Sequence, residues 1–280
     1  MKEELNTFIE FALKEDVREG DHTSLACIPT TASGKAQLLV KENGILAGME
    51  VAQAIFEKVN PDIQFFPLMQ DGESMTVGDV AFIVEGSSSS ILTAERLVLN
   101  CMQRMSGIAT KTKHIVKLLE GTKARVLDTR KTTPGIRLLE KWAVKIGGGI
   151  NHRFGLYDMM MIKDNHIDFA GGIESAIAKA INYQKDKGIN IPIEVEARNL
   201  EEVNEILRVG NIQRIMLDNF SYDDTRIAVE QIGGRFETES SGGITEDTIR
   251  EYALCGVDFI SVGALTHSIN CLDLSLKALV

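Results

Sequence analysis

The chain has 280 residues, of which 44% are hydrophobic and 25% are charged, a composition typical of globular proteins with a sizeable core. Its formal net charge is -10 and its sequence pI is about 5.1, so it lacks the basic excess with which nucleic-acid-binding proteins displace counterions from phosphates. No uncharged apolar stretch approaches the roughly 18 residues of a membrane-spanning helix. We therefore expect neither nucleic acid nor a membrane as a partner.

The amino-terminal segment MKEELNTFIEFALKEDVREG carries acidic residues throughout, so it lacks the basic region and unbroken apolar run of a secretory signal. The four cysteines are scattered without a CxxC pair, which favours reduced thiols over a disulfide framework. We therefore expect a cytoplasmic protein. The cysteines are Cys27, Cys101, Cys255 and Cys271.

Residues 1–106 mix helical and strand patterns and predict an N-terminal α+β domain of the open-sandwich type. An acidic helix comes first, and VKENGILAG then predicts a turn between strands, because Asn-Gly tolerates the positive φ of a tight hairpin. AERLVLNCMQRMSG has the three-to-four spacing of a helix that leads into the next domain. The amphipathic end of the chain, residues 267–280, is a candidate to pack back onto this first domain.

From residue 124 onward, short apolar or β-branched runs alternate with amphipathic segments of helical length, which is the pattern of repeated βα units with parallel strands. Several of the helical segments open with Asn, Ser or Thr and end at Gly. The pattern predicts an α/β barrel over residues 107–266, with about six parallel strands and therefore an incomplete TIM-like barrel. The predicted strands are 124–128, 159–163, 192–197, 214–218, 236–240 and 259–263.

The ends of these predicted strands carry charged, amide, hydroxyl or glycine groups. In a parallel βα barrel the catalytic groups lie at the carboxyl ends of the strands, where the βα loops converge. A purely structural protein has no reason to end all six strands in this way, so the pattern indicates a functional site. The strand-end groups are Asp128 to Lys131, Lys163 to His166, Glu194 to Glu196, Asp218 and Asn219, Glu239 to Gly243, and Gly263 to His267.

Positive charges gather in one window of this acidic chain, which indicates an anionic ligand. Arginine can hold a carboxylate or phosphate with two hydrogen bonds, whereas lysine acts as a compact point charge. The cationic side chains of the window are Arg130, Lys131, His152, Arg153, Lys163 and His166.

Three further cationic residues, Arg137, Lys141 and Lys145, have helical spacing and are predicted to form a solvated helix face. We interpret Gly147 to Gly149 as a flexible turn that lets the segment NHR reach the site.

The later strand ends offer groups for a metal and a phosphate. Glu196 and Asp218 end neighbouring strands, where their oxygens suit Mg²⁺ held mainly through substrate phosphates; a pair of structural salt bridges is the alternative. No HxxxH or HxH spacing supports zinc. The small residues of SSGGI and VGAL let a backbone approach a phosphate and donate N–H groups.

Several motifs, in this order, closely resemble the quinolinate phosphoribosyltransferase family. They are EDVREGDHTS, VKENGILAG, AERLVLNCMQRMSGIATKT, LDTRKTTPGIR, KWAVKIGGGINHRFGLYDMMMIKDNHI, EVEA, LDNF, ESSGGI and GVDFISVGALTHS, which together cover nearly the whole chain. The departures from the family pattern, such as Trp142 and the methionines of DMMMIKD, do not touch a charged site residue.

The resemblance implies transfer of a phosphoribosyl group from 5-phosphoribosyl 1-pyrophosphate to quinolinate, with release of pyrophosphate and CO₂, to give nicotinate mononucleotide for NAD synthesis. It implies Mg²⁺ as a cofactor and a homodimer in which Arg96 serves the partner's site. The residues implied for catalysis are Lys131, Lys163, Glu196 and Asp218, of which Glu196 and Asp218 address Mg²⁺, possibly indirectly. The residues implied for substrate binding are these four together with Arg96, Thr129, Arg130, His152, Arg153, Ser241, Gly242, Gly243, Val262, Gly263 and Ala264.

Three alternatives stay open at this point. Lys163 at a strand end would also suit a Schiff-base lyase or aldolase, although that reaction leaves Arg130 and Arg153 without a role. A related phosphoribosyltransferase-like protein of molybdenum metabolism shares the fold and several of the motifs. A catalytically silent anion-binding or scaffold protein on the same barrel is the third alternative.

Overall fold

The computed structural model describes residues 2–279 and contains eleven helices and twelve strands within that range. The helices are α1 Lys2–Asp16, α2 His22–Cys27, α3 Met49–Val59, α4 Ser88–Leu118, α5 Arg137–Ile146, α6 Asp164–Ala170, α7 Ile173–Lys187, α8 Leu200–Val209, α9 Tyr222–Ile232, α10 Ile249–Leu254 and α11 Ala264–His267. The strands are β1 Ser33–Val40, β2 Gly44–Ile45, β3 Gln64–Pro67, β4 Ser74–Met75, β5 Val80–Ser87, β6 Arg125–Leu127, β7 Met160–Ile162, β8 Ile193–Ala197, β9 Arg214–Asp218, β10 Glu237–Ser241, β11 Phe259–Ser261 and β12 Leu274–Leu279.

These elements fall into two compact units that are not continuous in sequence. The first unit contains the chain up to residue 113, residues 131–148 and the chain from residue 264 onward. The second unit contains residues 114–130 and 149–263. The predicted domain boundary after residue 106 lies inside α4, and the predicted domain limits stay a prediction. No helix within residues 2–279 has the length and apolar character needed to cross a membrane.

The first unit is built on a four-stranded antiparallel sheet in the order β12-β1-β5-β3. Strand β1 alternates, with Ala36, Leu38 and Val40 buried, because successive side chains of a strand point to opposite faces. The Phe56 ring of α3 meets the Phe82 ring of β5 edge to face at 5.9 Å. The end of the chain forms β12 and pairs with β1, so it completes this sheet.

The predicted turn between strands at Asn43-Gly44 is present between β1 and β2, but these two strands do not form a tight hairpin. Strand β1 pairs with β5 and β12, whereas β2, which follows it directly, pairs with β4. Gly44 is needed for space: a Cβ there would lie 2.4 Å from Leu272 Cδ1 and 2.7 Å from Thr110 Oγ1. Close packing has therefore overridden the local preference of Asn-Gly for a tight turn.

The predicted solvated stripe on α5 is also wrong at its centre. Lys141 is only 2% exposed, although Lys145 is exposed. Helix α5 buries Leu139, Glu140, Lys141, Ala143 and Val144, so burial extends around most of the circumference of its middle turns. Spacing alone identified a cationic stripe but could not tell which side of the helix the fold covers.

The second unit contains the six predicted parallel strands in one sheet, in the order β6-β11-β10-β9-β8-β7. Each strand overlaps its predicted range. Helices alternate with the strands; Asn199 caps α8 and Ser221 caps α9, as their sequences predict. The edge strands β6 and β7 are not paired with each other among the described residues. The predicted incomplete TIM-like α/β barrel is therefore confirmed.

Candidate functional site

The carboxyl ends of the six parallel strands, here called the strand tips, bring most of the predicted site residues to one edge of the second unit. Asp128 to Arg130 follow β6, Lys163 follows β7, and Val262 follows β11. Glu196 is the second-to-last residue of β8, and Asp218 is the last residue of β9. The remaining predicted tip residues of this unit are Ser241, Gly242, Gly243 and Gly263.

Two arginines form the cationic side of this edge. Arg130 is exposed and Arg153 is half-buried. Burial lowers the pKa of Arg153, and the positive charge of Arg130 lowers it further. The Arg153 guanidinium donates to the Met159 carbonyl at 3.3 Å. An anion between these two side chains would offset their repulsion.

The segment that carries Arg153 is held by two carboxylates, the buried Asp128 and the half-buried Asp158. Asp128 is 0% exposed, and its side chain accepts hydrogen bonds from Asn151 Nδ2 and from the His152 amide, both at 2.8 Å. The amides of Phe154 and Gly155 donate to Asp158. The turn is therefore fixed rather than loose, which is what precise placement of a ligand requires.

The interpretation of Gly147 as part of a flexible turn is wrong. In the first unit, a Cβ at Gly147 would lie 2.5 Å from the Ala109 carbonyl oxygen and 2.6 Å from Thr112 Cβ. This glycine is required because α5 ends in close contact with α4. Only the neighbouring Gly148 has the positive φ, +91°, that favours glycine.

Lys163, Glu196 and Asp218 form a mixed-charge group at neighbouring tips. Lys163 Nζ lies 3.6 Å from Glu196 Oε2. Burial raises the pKa of Glu196, the Lys163 charge opposes this, and the negative charge of Asp218 raises it again. The two carboxylates therefore interact with each other, and an added cation would relieve their repulsion.

The glycine-bearing tip after β10 is built around Asn219. Gly242 has φ +95°, and a Cβ at this position would lie 2.2 Å from Asn219 Oδ1. The Asn219 amide donates to the Ser241 carbonyl at 2.8 Å and so ties the tips of β9 and β10 together. At the β11 tip the Val262 amide donates to the Leu127 carbonyl at 2.9 Å.

Three predicted residues lie in the first unit. Lys131 is exposed, and its carbonyl accepts a hydrogen bond from Thr266 Oγ1 at 2.9 Å. Ala264 begins α11. Arg96 is exposed on α4, and its side chain makes no hydrogen bond or ion pair with any residue in the described part of the chain.

The sequence did not predict that a buried charge cluster would form inside the second unit, although His152 was predicted to bind substrate and Glu194 and Glu239 were among the strand-end groups. It consists of His152, Glu194, Arg214 and Glu239, all at most 8% exposed. His152 Nε2 lies 3.0 Å from Glu194 and 3.4 Å from Glu239, and Arg214 Nη1 lies 2.9 Å from Glu239. The available signal was the two-residue spacing of Glu194 and Glu196, which places both on one face of β8.

Electrostatic interactions inside the cluster favour the cationic form of the His152 ring. Burial alone would lower the pKa of His152, but the hydrogen bonds and charges of Glu194 and Glu239 raise it to about 9. Burial and the charge of Glu239 raise the pKa of Glu194 to about 7. The Arg153 amide lies 2.6 Å from His152 Nδ1.

Comparisons with known proteins agree with this site. The family model described as quinolinate phosphoribosyl transferase, C-terminal domain, matches residues 108–277, and the corresponding N-terminal domain model matches residues 21–106. The nicotinate-nucleotide pyrophosphorylase (carboxylating), chloroplastic, of Arabidopsis thaliana is 47% identical over 98% of this chain and 82% of its own length.

A bacterial relative and a solved structure give the same result. The probable nicotinate-nucleotide pyrophosphorylase (carboxylating) of Bacillus subtilis is 40% identical over 98% of this chain and 93% of its own length. The structure of the nicotinate-nucleotide pyrophosphorylase from Francisella tularensis superposes with a TM-score of 0.93, at 40% identity, over 100% of this chain and 97% of that one. The chain belongs to the quinolinate phosphoribosyltransferase family.

Proposed function

We propose that this chain is a nicotinate-nucleotide pyrophosphorylase (carboxylating). It transfers the phosphoribosyl group of 5-phosphoribosyl 1-pyrophosphate to quinolinate and releases pyrophosphate and CO₂, giving nicotinate mononucleotide for NAD synthesis. The names of the relatives support this reaction. The observation that carries it at the site is the placement of Arg130 and Lys163 with the carboxylates of Glu196 and Asp218 at the strand tips, where Lys163 Nζ lies 3.6 Å from Glu196 Oε2.

The cationic side chains suit quinolinate, which carries two adjacent carboxylates. Arg130 and Arg153 would each hold a carboxylate by charge-assisted hydrogen bonds, and Lys163 would add a point charge. Lys131 is proposed as a further cation, and Thr129 as a hydroxyl contact. Bringing both reactants to fixed positions is the main contribution that such a site makes to the rate.

The opposite tips suit the phosphoribosyl donor. Ser241, Gly242, Gly243, Gly263 and Ala264 would surround its 5'-phosphate with small residues and amide donors. Glu196 and Asp218 would face the ribose, where their charges stabilise the positive charge that develops as pyrophosphate leaves. The pyridine nitrogen of quinolinate then forms the new bond to the sugar carbon as the bond to pyrophosphate breaks. When CO₂ departs, the electron pair stays on ring carbon C2, where the positive charge of the adjacent nitrogen stabilises it, and C2 then takes up a proton from solvent.

Mg²⁺ is proposed as the cofactor. Glu196 and Asp218 fit its preference for oxygen ligands, and two carboxylates are the usual protein share of a Mg²⁺ site completed by substrate oxygens. Bound Mg²⁺ would neutralise charge on the pyrophosphate. Lys163 beside Glu196 would compensate that carboxylate when the metal is absent.

A homodimer is proposed in which Arg96 reaches the partner's site. The side chain supports this because it is exposed and has no hydrogen bond or ion pair among residues 2–279. A cytoplasmic location stays our prediction for this chain, and its four cysteines are free thiols. The relative from Arabidopsis thaliana is named chloroplastic.

To test the proposed function, the purified protein is incubated with quinolinate, 5-phosphoribosyl 1-pyrophosphate and Mg²⁺. The amounts of CO₂ and nicotinate mononucleotide formed are then measured. We expect equal amounts of both products, and none when either substrate is left out. Chelation with EDTA should abolish the reaction, and added Mg²⁺ should restore it. A folded protein that forms no product above background would refute the proposed function.

The surroundings of Lys163 in the structure argue against the Schiff-base alternative. A lysine nucleophile needs apolar surroundings or a neighbouring cation that favour the neutral amine, but Lys163 is exposed and paired with Glu196. Borohydride should therefore trap no substrate adduct on Lys163. No feature of the described residues favours the other two alternatives, a phosphoribosyltransferase-like protein of molybdenum metabolism and a catalytically silent scaffold protein.

A further inference from the structure

Asn219 directly follows β9 and holds a backbone conformation that few residues adopt. Its φ is +57°, in the left-handed region where asparagine is better tolerated than most residues that carry a side chain. Asn211, which lies just before β9 at the other end of the strand, has the same φ of +57°. The two asparagines therefore form a matched pair with the same backbone conformation and different surroundings.

The side chain of Asn211 makes only a marginal contact. It is exposed, and its Nδ2 lies 3.5 Å from the Val209 carbonyl oxygen. This distance is beyond the usual range of a hydrogen bond. The left-handed backbone is by itself a sufficient reason for an asparagine at this position.

The side chain of Asn219 makes a specific contact with Asp218. Asn219 Nδ2 donates to Asp218 Oδ2 at 2.7 Å. A carboxylate only accepts hydrogen bonds, so the amide nitrogen of Asn219 is the atom that has to face it. The other carboxylate oxygen, Asp218 Oδ1, accepts no hydrogen bond from any residue between 2 and 279. The contact therefore restrains the rotation of the carboxylate and leaves one oxygen available to a ligand.

The oxygen side of the same Asn219 amide lies against the tip of β10. A Cβ at Gly242 would lie 2.2 Å from Asn219 Oδ1 and 2.5 Å from its Cγ, so the side chain at 219 requires glycine at 242. The backbone amide of Asn219 donates to the Ser241 carbonyl at 2.8 Å. One residue thus contacts both the tip that carries Asp218 and the tip that carries Ser241 and Gly242.

We propose that Asn219 is a positioning residue for 5-phosphoribosyl 1-pyrophosphate, here called the donor. Its Nδ2 fixes the Asp218 carboxylate for the ribose side of the donor, and its contact with Gly242 sets the spacing between that carboxylate and the 5'-phosphate tip. The inference rests on the proposed function, which assigns Asp218 to the ribose and Ser241 and Gly242 to the phosphate. Asn219 acts through these residues and needs no contact with the donor.

The variant Asn219→Gly separates the side chain from the backbone. Glycine adopts the left-handed conformation without strain and keeps the backbone amide that donates to Ser241, so only the side-chain contacts are lost. The charge of the site does not change. We expect the Kd for the donor to rise by at least about fivefold, the equivalent of one hydrogen bond. The Kd for quinolinate should change by less than about twofold, because the cationic side chains are untouched.

Isothermal titration calorimetry at a fixed Mg²⁺ concentration measures both Kd values without turnover. Quinolinate is titrated alone. The donor is titrated in the presence of saturating phthalate, which has two adjacent carboxylates but lacks the pyridine nitrogen that forms the new bond. Binding can thus be compared even where no product is formed.

The matched control makes the same substitution at the other end of β9. Asn211→Gly changes the same residue type at the same φ, so it should leave both Kd values unchanged. If Asn219→Gly does not fold by circular dichroism, Asn219→Asp keeps the shape of the side chain but replaces the donating nitrogen with an accepting oxygen. This variant should weaken binding of the donor at least as much, with Asn211→Asp as its charge-matched control.

The variant Gly242→Ala tests the contact with the second tip. The φ of +95° strains alanine in any background, whereas the clash with the Asn219 amide exists only while that side chain is present. A double-mutant cycle isolates the clash because the strain is common to both backgrounds. We expect Gly242→Ala to raise the Kd for the donor by a factor about threefold smaller in Asn219→Gly than in the wild type.

The outcomes distinguish this inference from the proposed function. An unchanged donor Kd in Asn219→Gly, or an equal loss for both ligands, would overturn the inference even if the wild type forms nicotinate mononucleotide. The same factor for Gly242→Ala in both backgrounds would also overturn it, because the tips would then be held independently of Asn219. A wild type that binds the donor, weakens selectively in Asn219→Gly and yet forms no product would support the inference and refute the proposed function.

Discussion

Asp258 stabilises the end of the second unit opposite the strand tips through its charge. Its carboxylate accepts hydrogen bonds from the Thr238 amide at 2.9 Å and the Thr238 hydroxyl at 2.8 Å, and it pairs with Lys123 at 2.8 Å. Burial alone would raise the pKa of Asp258, but Lys123 and Thr238 outweigh it and hold the pKa below its ordinary value of 3.8. A depressed carboxyl pKa contributes stability above that ordinary value, and the contribution is lost as pH falls through the depressed one.

We therefore predict that Asp258→Asn lowers the free energy of unfolding by about 2 kcal/mol at pH 7, because charge-assisted hydrogen bonds are weakened. The difference from the wild type should shrink as pH falls below 3.8. Urea unfolding followed by circular dichroism at pH 7 and at pH 3 measures both. Asp223→Asn, whose side chain is 90% exposed, is the control. A difference that stays constant down to pH 3 would show that shape rather than charge is responsible.

At the residue scale, the sequence was informative wherever the chemistry follows from position along a strand. Asp218 and Glu196 could be placed at neighbouring tips because parallel strands align their carboxyl ends. The contact of His152 with Glu194 and Glu239 could not be predicted. This contact joins one turn to two strands, and no local sequence pattern shows which strands a turn will lie against.

The segment from Lys131 to Ile136 in the first unit is held by one buried ion pair. Arg104 on α4 donates to Glu140 Oε1 through Nε at 2.7 Å and to the Thr133 hydroxyl through Nη2 at 2.8 Å. The other Glu140 oxygen accepts from the Thr133 amide at 3.1 Å. The Glu140 side chain is 1% exposed, so Arg104 is the cation that compensates its buried negative charge.

We predict that Arg104→Met lowers the free energy of unfolding by about 3 kcal/mol, because it leaves a buried carboxylate without its partner. Arg226→Met removes an exposed pair, Arg226–Asp223, and should cost less than about 0.5 kcal/mol. Urea unfolding of both variants makes the comparison. Similar losses in the two variants would mean that Glu140 finds another partner or takes up a proton.

At the element scale, strands and helices with a strong repeat were predictable, and the three errors have one cause. Alternation and capping residues identified β6 to β11 and the helices between them. Asn43-Gly44, Lys141 and Gly147 were misread because the fold packs other groups around them. A Cβ at Gly44 would lie 2.4 Å from Leu272 Cδ1, Lys141 is buried, and a Cβ at Gly147 would lie 2.5 Å from the Ala109 carbonyl oxygen. Local preference is a weak prior where tertiary contacts decide.

At the scale of the whole molecule, the alternation of strands and helices predicted an incomplete barrel behind an α+β domain. The sequence also pointed to residues 267–280 as a segment that could return to the first domain, but it could not predict that residues 131–148 would join the first compact unit. Contact between segments distant in sequence leaves no periodic trace in either segment. The same limit applies to a second subunit, so the role of Arg96 has to be tested by experiment.

Mixing inactive variants tests whether the site is shared between subunits. Arg96→Ala and Arg130→Ala should each lose most of the activity with quinolinate, since each removes a charge-assisted contact. If Arg96 serves the partner's site, a mixed dimer contains one site that lacks both arginines and one site that lacks neither. Unfolding and refolding an equal mixture should restore about a quarter of wild-type activity, because about half of the dimers are mixed and each has one intact site of two.

The matched control mixes Arg130→Ala with Arg153→Ala. Both residues belong to the second unit of the same chain, and the charge of Arg130 affects the pKa of Arg153, so every site in a mixed dimer lacks one of them. This mixture should recover nothing. Recovery in both mixtures would point to subunit exchange effects unrelated to Arg96. Recovery in neither, with mixed dimers confirmed by mass spectrometry, would place Arg96 in the site of its own chain or outside the site altogether, because a shared site must regain one complete set of arginines when the two defects lie on different subunits.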